Sequence, residues 1–154
     1  MTHPLDMSFE KPSSFVTYRL AKLQSQLNAQ GTAILKEKSG LSLVEWRVIQ
    51  VIRMFEKPSL SQIAEHVQMD KRQLSRKVKV MIRKGLLTSQ RDDDDKRIQK
   101  LELTEKALEI NKHLMPVMER RQHHLLADVT PDELEMFYRI INKIEAAAKM
   151  RDIK

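Results

Sequence analysis

The chain contains no cysteine among its 154 residues. Disulfides, thiolate metal sites and thiol redox sensing are therefore excluded. Glycine occurs three times and proline five times; so few breakers point to a mostly helical chain with few loops. No apolar run approaches the ~20 residues of a membrane span. The N-terminus lacks a basic start followed by an apolar stretch, so no secretion signal is expected and a cytoplasmic location is the simplest inference. There is no internal repeat and no low-complexity linker. Catalytic signatures are missing too: no Ser-His-Asp set, no glycine-rich phosphate loop and no paired metal ligands, so no enzyme and no cofactor are expected. His123 and His124 are adjacent, ~100° apart on a helix, and cannot chelate one ion together. The run Asp92–Asp95 lacks the glycine and distal glutamate of a calcium loop. The nine methionines read as core filler.

What is present is charge, unevenly placed. Hydrophobic residues make up 41% and charged residues 32%, a balance that suits an ordered, soluble protein. The length suits one sizeable domain, or two small lobes sharing a core. Between Asp70 and Lys100 stand eleven Lys/Arg against five Asp, a net of +6, while the whole chain carries +7. A positive field confined to one stretch is what a polyanion-binding surface needs.

The local signals order themselves along the chain. Residues 1–12 read as an irregular arm broken by Pro4 and Pro12. Ser13 or Ser14 can cap a long helix to about Lys38, closed by Gly40. Ser42 with Glu45, and Ser59 with Gln62, each form a capping box for a following helix. The second of these is short, with Leu60, Ile63, Ala64 and Val67 on one stripe. Asp70 caps the next helix, with Gln73 at the reciprocal position, and Gly85 stops it. Leu86–Arg91 and Ile98–Leu103 read as two strands about an Asp-rich turn, with Leu101 and Leu103 on one face. Thr104 caps a helix to about Leu126, which Pro116 should bend or interrupt. Thr130-Pro131-Asp132-Glu133 starts the last helix, which runs to about Lys149.

The helix from Lys71 to Lys84 is two-sided. With Leu74 at zero on a wheel of ~100° per residue, Val78, Met81 and Ile82 fall in a narrow arc around it. Arg72, Arg76, Lys79 and Arg83 cluster opposite. Such a face offers the donors needed to read a major groove, and the N-terminal half of a reader helix enters first. Arg72, Gln73 and Arg76 are therefore the candidates for base edges, and Lys71, Ser75 and Lys79 for phosphates. An ordinary solvated face would interleave acids with these bases; after Asp70 this one does not.

Ile63-Ala64, the basic helix ending in Arg83-Lys84-Gly85-Leu86-Leu87, and the stretch Asp95-Lys96-Arg97-Ile98-Gln99-Lys100-Leu101-Glu102-Leu103-Thr104 resemble the multiple-antibiotic-resistance-regulator (MarR) family. The wing pattern of that family, D-x-R-x-x-x-L/V-x-L-T, is met at Asp95, Arg97, Leu101, Leu103 and Thr104. The resemblance implies a mainly α fold with a small two- to three-stranded β wing. This is a winged helix-turn-helix carrying N- and C-terminal dimerisation helices. The corresponding divisions are an arm and dimerisation helix over 1–41, a DNA-binding lobe over 42–104, and dimerisation helices over 105–154. It further implies that Arg97 enters a minor groove and that Asp95 orients it, with Lys96 between them. The physics is consistent, because a narrow minor groove concentrates negative potential and a carboxylate can hold a guanidinium in one rotamer.

Two features depart from the family pattern. The turn between the reader helices lacks its usual glycine and reads His66-Val67-Gln68-Met69. The acids Asp92, Asp93 and Asp94 have no role by resemblance; they read as a solvated loop tip that lowers non-specific affinity for duplex.

The outer helices carry Leu125, Leu126, Val129, Leu134, Phe137, Ile140, Ile141 and Ile144, more apolar surface than one small lobe can bury. Leu5, Phe9 and Phe15 could join them. Any one of these reads more readily as intramolecular core; as a set, with the resemblance, they imply an intertwined homodimer. Phe15, Leu125, Leu134, Phe137 and Ile141 are its principal candidates. The expected partners are double-stranded DNA, a second copy of the chain and a small-molecule effector of the anionic aromatic kind, with no membrane. Trp46 and Tyr18 with Arg47 or Arg19 could line an effector crevice, and they read equally as ordinary core or surface. The expected function is a sequence-specific transcriptional regulator, by resemblance more often a repressor. The alternative is a non-specific architectural DNA-binding protein.

Overall fold

The computed structural model describes residues 11–150. The arm residues Pro4, Leu5 and Phe9 lie outside the described residues. Six helices and one hairpin follow in the order α1 (Val16–Ser39), α2 (Leu43–Met54), α3 (Leu60–Val67), α4 (Lys71–Arg83), β1 (Leu87–Arg91), β2 (Gln99–Leu103), α5 (Glu105–Leu125) and α6 (Pro131–Ala148). The chain divides into two compact units, residues 1–114 and 115–154, with the division inside α5.

In the first unit the core is aliphatic. Leu35 of α1, Val48, Ile49 and Ile52 of α2, Ile63 of α3, Leu74, Val78 and Met81 of α4, and Leu87 and Leu101 of the hairpin are all buried. Each helix start is set by a local device. Ser42 and Glu45 exchange side-chain and backbone bonds at the head of α2, and Ser59 and Gln62 do the same for α3. Both capping boxes satisfy donors that the first turn leaves unpaired. At α4 the Asp70 carboxylate accepts from the backbone N–H groups of Arg72 and Gln73. Gln73 thus meets the cap through its backbone only, and the reciprocal side-chain bond expected of it is not made.

The α1 start also differs from the sequence expectation. Ser13 and Ser14 sit in a short 3₁₀ turn, Pro12–Ser14, and the Ser14 hydroxyl donates to the Lys11 carbonyl at 2.6 Å. Phe15 stands at the head of α1, with no side chain capping it. Proline at position 12 fixes the φ that the tight turn needs, and that turn takes the serines away from the helix.

Two left-handed residues shape the ends of α3 and α4. Gly85 has φ +70°, and its N–H and that of Leu86 donate to the carbonyls of Ile82 and Met81. This closes α4 and sends the chain directly into β1. Gln68 follows α3 with φ 53° and ψ 48°. Its N–H reaches the Glu65 carbonyl, and Met69 N–H reaches that of Ala64. The turn therefore has glycine geometry without glycine, at a cost of ~1 kcal/mol.

β1 and β2 pair antiparallel, with Leu87 opposite Leu103, Ser89 opposite Leu101 and Arg91 opposite Gln99. Ser59 adds an isolated bridge to Lys100. The root of the wing is fixed by Thr104, whose hydroxyl donates to the Gly85 carbonyl at 2.6 Å and accepts from Ala107 N–H at 3.3 Å. One residue thereby caps α5 and ties it to the end of α4. Gln50 Nε2 on α2 donates to Oδ1 of the buried Asn111 on α5 at 2.7 Å.

α5 continues unbroken through Pro116, so the interruption expected there does not occur. In the second unit the last turns of α5 lead into α6. Thr130 and Glu133 form a third capping box, with Pro131 at the first turn. No residue of α6 is buried.

Candidate nucleic-acid interface

α4 is seated by one face and open on the other. Leu74, Val78 and Met81 are buried, while Lys71, Arg72, Gln73, Arg76 and Lys79 are exposed and Ser75 is half-buried. The arrangement follows from the sequence period. Positions 74, 78 and 81 fall on one side of a helix of 3.6 residues per turn, and burial of three aliphatic chains orients everything opposite. None of the cations of this face is joined to a carboxylate among the described residues, so the face presents bare donors.

The end of α4 is held by a contact that sequence reading missed. Lys84 Nζ lies 2.7 Å from Glu45 Oε1, and Glu45 is 1% exposed. The other oxygen of Glu45 accepts from the Ser42 N–H at 2.8 Å. Burial pushes the Glu45 carboxyl up. The Lys84 ammonium, the Ser42 N–H and the charge of Lys77 outweigh burial and leave it below the ordinary glutamate value. The Lys84 carbonyl in turn accepts from Lys106 Nζ at 2.8 Å. A capping glutamate is legible in the sequence; its second partner, 39 residues away, is not.

The wing turn is built by its acids. Asp92 Oδ1 accepts from the N–H groups of Asp94 and Asp95 at 2.9 and 3.0 Å. Its Oδ2 meets Lys100 Nζ at 2.5 Å. The Lys100 ammonium and these two amides hold the Asp92 carboxyl down at about 2. Asp92 is therefore a structural residue of the turn, whereas its sequence context predicts a solvated loop tip. Asp93 and Asp94 are exposed, and Asp93 lies 3.7 Å from Lys96 Nζ. Asp95 Oδ1 accepts from the backbone N–H of Arg97 at 3.0 Å. The two residues of the wing motif are thus linked through the backbone, and the guanidinium contact expected of Asp95 is absent. Lys96 and Arg97 are both exposed. With Ser89, Arg91, Ile98 and Gln99 they line a polar concavity of about 450 Å³.

A sequence profile described as the MarR family matches residues 39–98, the stretch that holds the helix-turn-helix with its exposed cationic face and most of the hairpin, Asp95 and Arg97 included. Over that segment the chain is similar to the MarR family. Solved MarR-type structures extend the fold likeness to nearly the whole chain. A MarR/EmrR family transcriptional regulator from Acinetobacter sp. ADP1 superposes with a TM-score of 0.82 at 22% identity, covering 90% of this chain and 97% of that one. A MarR family regulator from Streptomyces coelicolor in complex with DNA gives 0.81 at 15% identity, covering 94% and 93%. The PcaV regulator from the same organism, in complex with its natural ligand, gives 0.76 at 21% identity, covering 93% and 100%. No curated protein sequence matches the chain significantly.

Of the crevice residues considered from sequence, Trp46 is buried in the core, and Arg47 Nη2 donates to Asn28 Oδ1 at 2.8 Å. Tyr18 and Arg19 are exposed on α1. The dimer candidates keep apolar surface open. Phe15 is 44% and Phe137 43% exposed, and Leu125, Leu134 and Ile141 are half-buried. Among the described residues no group of three or more His, Asp or Glu is placed to hold a metal ion. No helix among them is long and apolar enough to cross a membrane.

Proposed function

We propose that the protein is a sequence-specific DNA-binding transcriptional regulator that acts as a homodimer on a palindromic operator, without a catalytic step. The supporting observation is the split of α4: Leu74, Val78 and Met81 anchor it, and Arg72, Gln73 and Arg76 stand outward from its first two turns. In this reading Arg72, Gln73 and Arg76 meet base edges in the major groove, while Lys71, Ser75 and Lys79 meet phosphates. Arg97 enters the flanking minor groove, where its guanidinium is drawn by the negative potential. Asp95 acts on it by fixing its backbone, and Lys96 adds charge beside it.

Residues 42–104 form the DNA-binding lobe in this proposal, and residues 1–41 and 105–154 supply the dimerisation helices. Phe15, Leu125, Leu134, Phe137 and Ile141 provide apolar contact between copies. A twofold dimer sets two reader helices ~34 Å apart, which matches two half-sites one turn apart. Occupancy of a promoter by such a dimer would repress it sterically. A small-molecule effector, in keeping with the ligand-bound state of PcaV and of the anionic aromatic kind by family resemblance, would act by binding one spacing of the reader helices better than another. A cytoplasmic location accords with this role.

Selection of bound sites from a random duplex pool tests the proposal. A palindromic consensus is expected. A pool that stays random after repeated selection would overturn it in favour of non-specific coating of DNA.

A further inference from the structure

The hairpin carries a cation that neither the family motif nor the helical face includes. In β1 the residues Leu87, Ser89 and Arg91 share one face by the two-residue period, and their partners Leu103, Leu101 and Gln99 point the same way. The inner part of this row, Leu87 and Leu101, is buried. Beyond the edge of the core the same row continues as Ser89, Gln99 and Arg91 and becomes polar. Gln99 Nε2 donates to Ser89 Oγ at 2.5 Å across the strands. Arg91 Nη1 donates to the Lys96 carbonyl at 3.4 Å, which lays its guanidinium across the mouth of the turn. Arg91, Lys96 and Arg97 thus line one concavity of about 450 Å³ together with Ser89, Ile98 and Gln99.

The charge of this concavity is left uncancelled by the neighbouring acids. Asp92 is committed to Lys100 and to two backbone amides, and Asp95 to the Arg97 amide. Among the described residues no carboxylate pairs with Arg91 or Arg97. The turn therefore uses Asp92 and Asp95 internally and leaves the exposed Arg91 and Arg97 without a carboxylate partner among the described residues. Guanidiniums with no carboxylate partner suit a phosphodiester, whose two non-bridging oxygens match the planar fork of donors.

We propose that Arg91 is a second anchor of the wing, binding a backbone phosphate of the duplex whose minor groove Arg97 enters. The role rests on the DNA-binding reading given above and adds a residue and a ligand group to it. Arg91 fixes the wing in place and carries no base information, because a phosphate is the same at every step.

The test is the salt dependence of duplex binding by the full chain, measured for wild type, Arg91→Gln and Arg91→Lys on a selected site and on random duplex. Arg91→Gln should weaken both duplexes by the same factor. It should also lower the slope of log affinity against log salt by about 0.9, one phosphate's share of released counterions. Arg91→Lys should keep the slope, since it keeps the charge. Circular dichroism and amide exchange at Asp94 and Asp95 confirm that the turn is intact in both variants. An unchanged slope in Arg91→Gln, or a loss of preference for the selected site over random duplex, overturns the anchor. A wild type that selects no sequence overturns the regulator reading instead, while a slope change in Arg91→Gln on random duplex would leave the anchor standing.

Discussion

Glu45 Oε1 lies 2.7 Å from Lys84 Nζ, so the first turn of α2 and the end of α4 share one ion pair. The carboxylate is buried and the lysine side chain is 47% exposed. Removing the lysine charge leaves a buried acceptor without its strongest partner. Lys84→Met, which keeps the aliphatic stem, should cost about 1–3 kcal/mol in urea denaturation at neutral pH. The Glu45 carboxyl is held below its ordinary value in the folded state. Its contribution is therefore present above the unfolded value of about 4.3 and is lost as pH falls through the lower folded value. The gap between wild type and Lys84→Met should narrow at pH 3. An equal gap at pH 7 and pH 3 would show that the pair contributes through packing alone.

The wing should respond to acid through Asp92. Its carboxyl sits at about 2 against a model-peptide value near 3.9. A depressed folded value means that the stabilisation is complete above about 4 and disappears as pH falls towards 2. Protection of the Asp94 and Asp95 amides, relative to their intrinsic exchange at each pH, should therefore fall across that interval. Asp92→Asn should accelerate the same amides at neutral pH, because the pair with Lys100 is gone. Asp93→Asn combined with Asp94→Asn should leave the turn ordered and tighten binding to random duplex at low salt. Unchanged affinity in that double variant would remove the idea that the exposed acids discourage non-specific binding.

The two faces of the proposed reader separate by mutation. Arg72→Ala should relax base preference at one position of each half-site, at about 1–3 kcal/mol. Lys79→Ala should weaken all duplexes alike and flatten the salt dependence. Footprints and competition titrations against selected and scrambled sites check both. If the two variants act identically on every sequence, α4 does not read bases.

α6 buries none of its residues, and Phe137 and Ile140 remain exposed on it. In the proposed homodimer these positions would be covered by a second copy, and a charge there would be desolvated without a partner. Phe137→Glu should shift the sedimentation coefficient towards the monomer at micromolar concentration. DNA affinity should fall with it, because one reader helix then meets one half-site. A wild type that sediments as a monomer at the same concentration would rule this interface out.

Much of the architecture depends on neighbours within four residues, and that part is legible in the chain itself. Ser42 with Glu45, Ser59 with Gln62, and Thr130 with Glu133 announce their helices because a capping box is a local exchange of bonds. The sides of α4 follow from the spacing of Leu74, Val78 and Met81. The wing motif locates Arg97 by its distance from Leu101 and Leu103. Where two local devices compete, sequence alone misleads: Pro12 draws Ser13 and Ser14 into a turn and away from the α1 cap.

Sequence alone determined which segments are helical, which face of α4 is greasy, and that a basic hairpin follows it, since each of these is a periodicity or a cap. Only the tertiary structure decided that Lys84 meets Glu45, that Asp92 braces the wing through Lys100, that Trp46 is core, and that Arg91 shares a concavity with Arg97. Those partners are brought together by chain closure and strand register. Neither composition nor helical spacing records which distant side chain will fill a buried carboxylate's second lone pair.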